Sequence, residues 1–188
     1  WALILSPKHK IEFRNIFNQL ATKETVIRTG QLFENNLEIS NQSFRYEQKS
    51  ILSSQLSGTH DLSEKTKVKW IGGFGYTQRA EPDFRRFTSS KELGAEGGFK
   101  MDLQQFESPT LQQAARFWSN MDEFVITGNA AIEQVIGTKK SDAYMNKTLK
   151  AGIYSEYKDR YFKARWFGIV NPNRVDASIT SQSPNDFF

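Results

Sequence analysis

The sequence predicts an all-β chain: an antiparallel segment of transmembrane β-barrel, about six strands, with long external loops at one end and short periplasmic turns at the other. Three observations lead there. Apolar and polar side chains alternate with the period of a strand. The alternation persists for almost twenty residues in places, against the 5 to 6 residues or so usual in globular proteins. Third, 13% of the residues are aromatic although the mean hydropathy is only −0.59, a pairing that argues against disorder and demands an apolar environment for the rings.

The elements follow in order. Residues 1–6 form a first strand, closed by the tight turn Pro7-Lys8-His9. Over 10–22, Ile11, Phe13 and Phe17 share one face and Lys10, Glu12, Arg14 and Asn18 the other. Over 42–62, Phe44, Tyr46, Leu52, Leu56 and Leu62 oppose Arg45, Glu47, Lys49, Ser53, Gln55, Ser57 and Thr59. After the tight Ser63-Glu64-Lys65-Thr66, the strand 67–79 sets Val68, Trp70, Gly72, Phe74 and Tyr76 against Lys67, Lys69, Gly73, Gly75, Thr77 and Arg79. In 117–135 Phe124, Ile126, Ala130 and Ile132 oppose Glu123, Thr127, Asn129 and Glu133, with Val125 on the polar side. In 147–169 Leu149, Ala151, Ile153 and Tyr157 oppose Lys150, Glu156, Lys158 and Arg160, and the pattern blurs after Arg160. A bulge or emergence into solvent explains such a blur.

The connectors 23–41, 80–116 and 170–188 read as long polar loops, whereas 136–146 is intermediate. In a meander every second connector lies at the same end, and an end of short turns opposite an end of long loops is the asymmetry of outer-membrane barrels. Within 80–116, Ser108-Pro109-Thr110-Leu111-Gln112 offers an N-cap and a proline at the first helical position, so a short helix running to Ala115 and a plain loop turn are both open.

The totals set bounds. The 188 residues suffice for one domain with a sizeable core. The 25 bases against 21 acids give +4 and an isoelectric point near 9.2, but they are interspersed and form no basic helix, so no nucleic-acid partner is expected. The absence of cysteine excludes disulfides, thiolate metal sites and cysteine nucleophiles. No run approaches the ~18 apolar residues of a spanning helix, which leaves a strand-built membrane protein open because its mean hydropathy is low. The chain begins at Trp1, without an initiator Met or a leader, and reads as an interior piece of a longer polypeptide.

A lipid-embedded strand needs apolar side chains against acyl tails on one face and keeps polar ones against a watery or plugged lumen on the other. Phe13, Phe44, Tyr46, Leu52, Leu56, Trp70, Phe74 and Tyr76 are then the lipid-facing and aromatic-belt residues. Trp70 and Tyr76 mark the two ends of the apolar band, with Phe44 and Tyr46 close to Tyr76, and Lys67, Lys69 and Arg79 point inward. The alternative is a soluble sandwich or lipocalin-like barrel whose apolar face turns inward. A strand of about 20 residues extends some 65 Å, more than a small sandwich requires.

The remaining motifs carry little chemistry. Gly72-Gly73-Phe74-Gly75 lacks the Lys-Ser or Lys-Thr of a phosphate loop, and instead lets the sheet bend or a bulky group approach the backbone. His9 and His60 stand outside metal-ligand spacing at turn or strand-end positions, no metal or cofactor is expected, and no nucleophile–base arrangement is recognisable, so no enzymatic activity is expected. Asn41-Gln42-Ser43 and Asn146-Lys147-Thr148 match the glycosylation pattern at a level chance supplies.

Three stretches carry a resemblance: "IEFRNIFNQ", "RYEQKSILSSQLSGTHDL" and "GGFGYTQRAEPDFRR", with a further one around "LKAGIYSEYKDRYFKARWFG". The chain resembles the barrel of TonB-dependent outer-membrane receptors of the Bacteroidetes type, which carry a carboxypeptidase-regulatory-like domain before the plug. The resemblance implies a 22-stranded barrel of which this chain is about a quarter, since six strands cannot close so wide a cylinder. Plug, TonB box and C-terminal aromatic strand are not within it. It further implies the outer membrane of a Gram-negative bacterium and energised import of a scarce ligand: an iron chelate, cobalamin, a glycan or a peptide. The partners implied are outer-membrane lipid, the protein's own plug, the TonB complex through other parts of the parent chain, and surface lipoproteins or other outer-membrane subunits. Candidates for ligand or plug contact are Glu81, Asp83, Arg85 and Arg86 on an external loop, and Arg45, Lys49, Lys69, Arg79, Lys158 and Arg160 facing the lumen. Each of these charges has an equally simple structural role, as a partner in an ion pair. A passive porin, a barrel recruited as a subunit of a surface assembly, and a soluble all-β binding module are the rival functions.

Overall fold

A computed structural model describes residues 1–103, 113–137, 147–171 and 178–181. Among them the chain is all-β, with eight strands: β1 (Ala2–Ser6), β2 (His9–Leu32), β3 (Leu37–Asp61), β4 (Thr66–Phe87), β5 (Ser89–Glu92), β6 (Lys100–Met101), β7 (Ala114–Ile136) and β8 (Lys147–Gly168). They form one antiparallel sheet in the order β1-β2-β3-β4-β7-β8, a meander, with β5 pairing β3 and β6 pairing β5 off this path. The sheet is not closed. β2, β3, β4, β7 and β8 hold 24, 25, 22, 23 and 22 residues; at about 3.3 Å per residue each extends more than 70 Å.

The strands outrun their sequence alternation. The connector 23–41 shrinks to 33–36, because β2 continues to Leu32 and β3 starts at Leu37. The reversal is a 3-10 turn, Phe33–Asn35, ended by Asn36 at φ 52°, a left-handed conformation that asparagine tolerates. The connector 80–116 shrinks likewise: β4 reaches Phe87 and β7 begins at Ala114. Between them β5 takes over β4's place against β3 (Leu37↔Glu92, Ile39↔Ser90), and β6 pairs with β5 (Ser89↔Met101). Ser108 to Gln112, where a helix was one of two expectations, lie outside the described residues, while Ala114 and Ala115 belong to β7. β4 carries one residue more than β7 between the bonds Val135 N–H to Lys65 and Thr88 N–H to Gln113. That is a bulge, and Pro82, which has no N–H to give a ladder, falls in the interval.

The chain divides into two compact units. One, the turn half, comprises Trp1–Gln19, Ser50–Gln78 and Asp122–Tyr161; the other, the loop half, comprises Leu20–Lys49, Arg79–Met121 and Phe162–Phe188.

In the turn half, side-chain contacts fix which rows share a face. The Trp70 indole lies over Gly58 and donates to His60 Nε2 at 3.0 Å. His60 and His9 meet through their Nδ1 atoms at 3.1 Å, Ser54 donates to Asn15 at 2.7 Å, and the Tyr76 and Phe124 rings stand 4.8 Å apart. One face therefore shows the rows Ile11-Phe13-Asn15-Phe17, Leu52-Ser54-Leu56-Gly58-His60, Val68-Trp70-Gly72-Phe74-Tyr76 and Phe124-Ile126-Gly128-Ala130-Ile132. On β4 and β7 the apolar stretch runs nine residues, Val68–Tyr76 and Phe124–Ile132, bracketed by Thr66 and Gln78 and by Asp122 and Gln134. On β8 the row Leu149–Tyr157 spans the same length before Asp159, with Ser155 within it.

Among the described residues no second layer covers this face. Every buried hydrophobic residue among those described (Ile39, Phe87, Met101, Ala114, Ala115) is in the loop half, whereas Phe124 is 45%, Ile126 55% and Ile153 71% exposed. Phe13, Leu56 and Phe74 are exposed and Leu52, Trp70 and Tyr76 half-buried. The loop half has its own small core, Phe87, Met101 and Ala114, with Leu103 and Ile169 against it. Phe44 is there, its ring 6.3 Å from that of Phe87. This corrects the expectation that Phe44 and Tyr46 neighbour Tyr76: the β3–β4 register that puts Trp70 over Gly58 sets Leu52, not Tyr46, level with Tyr76.

Candidate functional site

The opposite face of the turn half is ionic, and three of its carboxylates, Glu12, Glu123 and Glu133, are each shared by two bases. Glu12 binds Lys10 and Arg14. Glu133 on β7 holds Lys69 of β4 at 3.0 Å and Lys150 of β8 at 3.1 Å. Glu123 holds Lys158 at 3.2 Å and Arg160, and Lys67 reaches Asp61 at 3.3 Å. Apart from the Glu12 pairs, which run along β2, these pairs bridge strands, so the register of the sheet decides which charges meet. Between them lies a recess of about 380 Å³, bordered by Arg14, Ser53, Gln55, Gly73, Gly75 and Thr127. Its floor is bare backbone: a Cβ on Gly73 would collide with Thr127 Oγ1, and one on Gly75 would touch Val125 at 3.7 Å. Gly73 thus makes room for Thr127, whereas Val125, apolar on a polar row, would make only ordinary contact with a side chain at Gly75.

In the loop half the charges on the Arg45 row form a network. Arg45 gives its Nε–H to Glu81 at 2.7 Å and reaches Glu47 at 3.1 Å; Arg79 and Lys49 reach the same Glu47 at 2.8 and 2.7 Å. Three bases thus surround one glutamate. The Arg79 and Lys49 hydrogen bonds hold the Glu47 carboxyl down at about 2, against the opposing effect of its burial. Glu81 is itself 5% exposed, and a buried carboxylate needs such a partner. Further along, Asp83 accepts from Arg85 Nε at 2.6 Å and from two nitrogens of Arg116 at 3.1 Å each.

The structure so places the sequence candidates in different settings. Arg45, Lys49, Arg79 and Glu81 converge on one network, and Asp83 and Arg85 on a second. Lys69 joins Glu133, and Lys158 joins Arg160 on Glu123. Glu81, Asp83, Arg85 and Arg86 lie within β4 rather than on a loop; Glu81 is held by Arg45 of β3 and Asp83 by Arg116 of β7, while Arg85 pairs with Asp83 along β4. Arg86 is exposed. Sequence reasoning passed over Glu47, Glu123, Glu133 and Arg116 as site residues. For Glu47 a signal existed: Arg45-x-Glu47-x-Lys49, like Lys10-x-Glu12-x-Arg14, is base-acid-base at the two-residue spacing of one strand face.

A second concavity in the loop half, about 760 Å³, is walled by Lys91, Glu92, Glu96, Lys100 and Asp102 over Leu37 and Met101. Lys91 pairs with Glu38 at 2.9 Å and stands 5.4 Å from the Phe99 ring centre, and Ser90 donates to Asp102 at 2.7 Å. Its mixed charges suit a polar solute. Among the described residues no group of three His, Asp or Glu could hold a metal ion, and no helix is long and apolar enough to cross a membrane. No protein-family model matches the chain, and no curated protein matches it.

Proposed function

We propose that this chain is a wall segment of an outer-membrane β-barrel that imports a scarce polar solute, in the manner of the TonB-dependent receptors it resembles. The observation that carries the reading is the uncovered apolar band of the turn half, nine residues tall on β4 and β7 and matched on β8 save for Ser155. Nine residues extend about 30 Å, and a strand tilted by about 45° needs 9 to 11 residues to cross the hydrocarbon core. A soluble antiparallel sheet with an apolar face this continuous would bury it against a second layer. Trp70 near one end of the band and Tyr76 at the other hold the positions that amphipathic rings take at headgroup level. The ionic face then lines the water-filled or plugged interior, and β2–β4 and β7–β8 beyond the band stand outside the membrane.

The test uses the full-length protein in its native membrane. Single cysteines placed from Ile71 to Gln78, in a chain segment that has none of its own, are challenged with a water-soluble maleimide and with a lipid-partitioned spin-label quencher. Quenching at Gly72, Phe74 and Tyr76 and maleimide reaction at Gly73, Gly75 and Thr77 is expected. Equal maleimide reactivity on both rows removes the membrane reading. Import is separated from passive flow by a protonophore, which stops uptake if it is energised and leaves it unchanged if the barrel is a porin.

A further inference from the structure

We infer that His9, His60 and Trp70 form a proton-operated latch in the turn half: while both imidazoles are neutral it pins the Trp70 indole, and the first proton the pair takes up releases it. The inference goes beyond import. It uses the turn half alone and holds whether or not lipid covers the apolar rows.

The three rings stand on adjacent strands of one face, His9 at the start of β2, His60 near the end of β3 and Trp70 on β4. Trp70 Nε1–H donates to His60 Nε2 at 3.0 Å, and the Nδ1 atoms of His60 and His9 are 3.1 Å apart. An indole nitrogen only donates, and a neutral imidazole has one donor and one acceptor nitrogen. His60 Nε2 therefore accepts, its proton is on Nδ1, and that N–H donates to His9 Nδ1, whose own proton is on Nε2. The indole at the head of the chain sets every role in it. The ring centres of the two histidines are 5.3 Å apart, farther than the nitrogens by about two imidazole radii, so the Nδ1 atoms aim straight at each other as donor and acceptor do. Two ligands of one metal ion would instead converge on a point beside that line.

One added proton cannot leave both joints intact. Placed on His9 Nδ1 with His60 unchanged, it sets two N–H groups head-on. Shared between the two Nδ1 atoms, it makes a charge-assisted hydrogen bond, about twice as strong as a neutral one, but it leaves His60 with a proton on Nε2, facing the indole N–H. The second arrangement keeps the stronger bond, so the joint to Trp70 is the one that opens. The groups facing the pair along the strands are neutral: Ser6 stands opposite His9 on β1, β3 brings Gly58 and Leu62, and β4 brings Val68 beside Trp70. The nearby charges are engaged on the ionic face, Lys10 with Glu12, Lys67 with Asp61 and Lys69 with Glu133. Lys65 donates to the Gly137 carbonyl, and Lys8 and Glu64 stand exposed in the two turns. The indole lies in a slot over Gly58, where a Cβ would collide with its ring nitrogen. Once His60 no longer accepts, the indole N–H must turn to water.

The experiment follows the indole N–H of Trp70 by ultraviolet resonance Raman in the full-length protein in phosphatidylcholine vesicles, with the Trp70→Phe spectrum subtracted. The pH runs from about 8 to about 5, the interval in which histidine changes charge. A hydrogen-bonded indole at the upper end and loss of most of that signal at the lower end are expected, with the β-sheet circular dichroism unchanged. His60→Gln keeps an acceptor for Trp70 and takes up no proton, so its signal should persist through the whole range. His9→Leu removes the second nitrogen that shares the proton, and its loss should need a more acid solution. A wild-type signal that persists to the acid end overturns the latch, and so does a loss that survives in His60→Gln, which assigns the titrating group elsewhere. Loss at the same pH in His9→Leu and wild type overturns the shared proton. Wild type alone decides whether the indole is released, so a variant that fails to fold does not shelter the inference, and either result leaves the import reading as it stands.

Discussion

An arginine in the middle of the apolar band provides the sharpest perturbation. Leu56 is the central residue of the row Leu52–His60 on β3, faces away from the ionic side, and is 43% exposed. On a lipid-facing strand a midplane arginine costs about 2 to 4 kcal/mol and one near the interface about 0 to 1, so Leu56→Arg should lower the folded-to-unfolded ratio by roughly 30- to 700-fold while Leu52→Arg, at the band's end, changes it little. Gln55→Arg, one residue away on the ionic face, meets water and should stay within about 0.5 kcal/mol. The assay is denaturant unfolding of the full-length protein refolded into phosphatidylcholine vesicles of two chain lengths. A thicker bilayer should raise the cost at Leu56 more than at Leu52. If Leu52→Arg, Leu56→Arg and Gln55→Arg cost the same, or if the Leu56 penalty is independent of bilayer thickness, hydrocarbon does not cover this face and the argument from the band fails.

Other consequences concern the charges and the glycines. The Glu47 carboxyl, held at about 2 against an ordinary 4.5, lends the loop half stability that is complete above about pH 4.5 and is lost as the pH falls toward 2; protease resistance of the Arg79–Met121 segment should follow that course, and Glu47→Gln should abolish the dependence. Gly152 faces backbone, where an added Cβ would stand 2.8 Å from the Ala130 carbonyl oxygen and 3.1 Å from Ala131 Cβ, whereas Gly30 has nothing within 4 Å. Gly152→Val should therefore weaken β7–β8 pairing by about 1 to 3 kcal/mol and speed amide exchange along Leu149–Ser155, with Gly30→Val nearly silent in the same measurement. Arg85 is tied to Asp83 and Arg86 is exposed: charge reversal at Arg85 should reduce the yield of folded protein, while Arg86→Glu should fold normally and, on the proposed import function, lower uptake several-fold.

The parts of the fold legible in the sequence are those where the two faces of a strand differ in chemistry. Val68, Trp70, Phe74 and Tyr76 against Lys67, Lys69 and Arg79 announce β4 because one row stands bare and apolar and the other is ionic. From Lys23 to Leu32 the same strand type continues as β2, yet Thr25, Val26 and Ile27 follow one another without alternation. Where both faces are wet, the ladder alone holds the strand and hydropathy is silent about it. The expected fourth strand stopped at Arg79, yet β4 runs on through Pro82, whose missing donor falls in the interval of the bulge. The charged candidates were legible as residues but not as sites. Lys69, Glu133 and Lys150 lie far apart in sequence, and only strand order and register bring them together, whereas Arg45, Glu47 and Lys49 are two apart on one strand and could be read as a unit.

The stoichiometry of the ionic face bears on whether its bases are only mortar. Were the lysines and arginines there solely to tie strands together, one base per carboxylate would suffice, as Lys91 and Glu38 do beside β5. Instead Glu12, Glu123 and Glu133 each hold two bases and Glu47 holds three. The second base on a shared carboxylate gains less than the first, since the acceptor's charge is already divided and the two cations repel. Exposed pairs of this kind add little to stability, so the surplus is poorly explained by folding. It leaves these clusters with more bases than acids, in the turn half on the face opposite the uncovered apolar rows. A face so charged favours carboxylate- or phosphate-bearing groups, whether on a passing solute or on a segment seated against the wall, and it does so in the turn half and in the loop half alike.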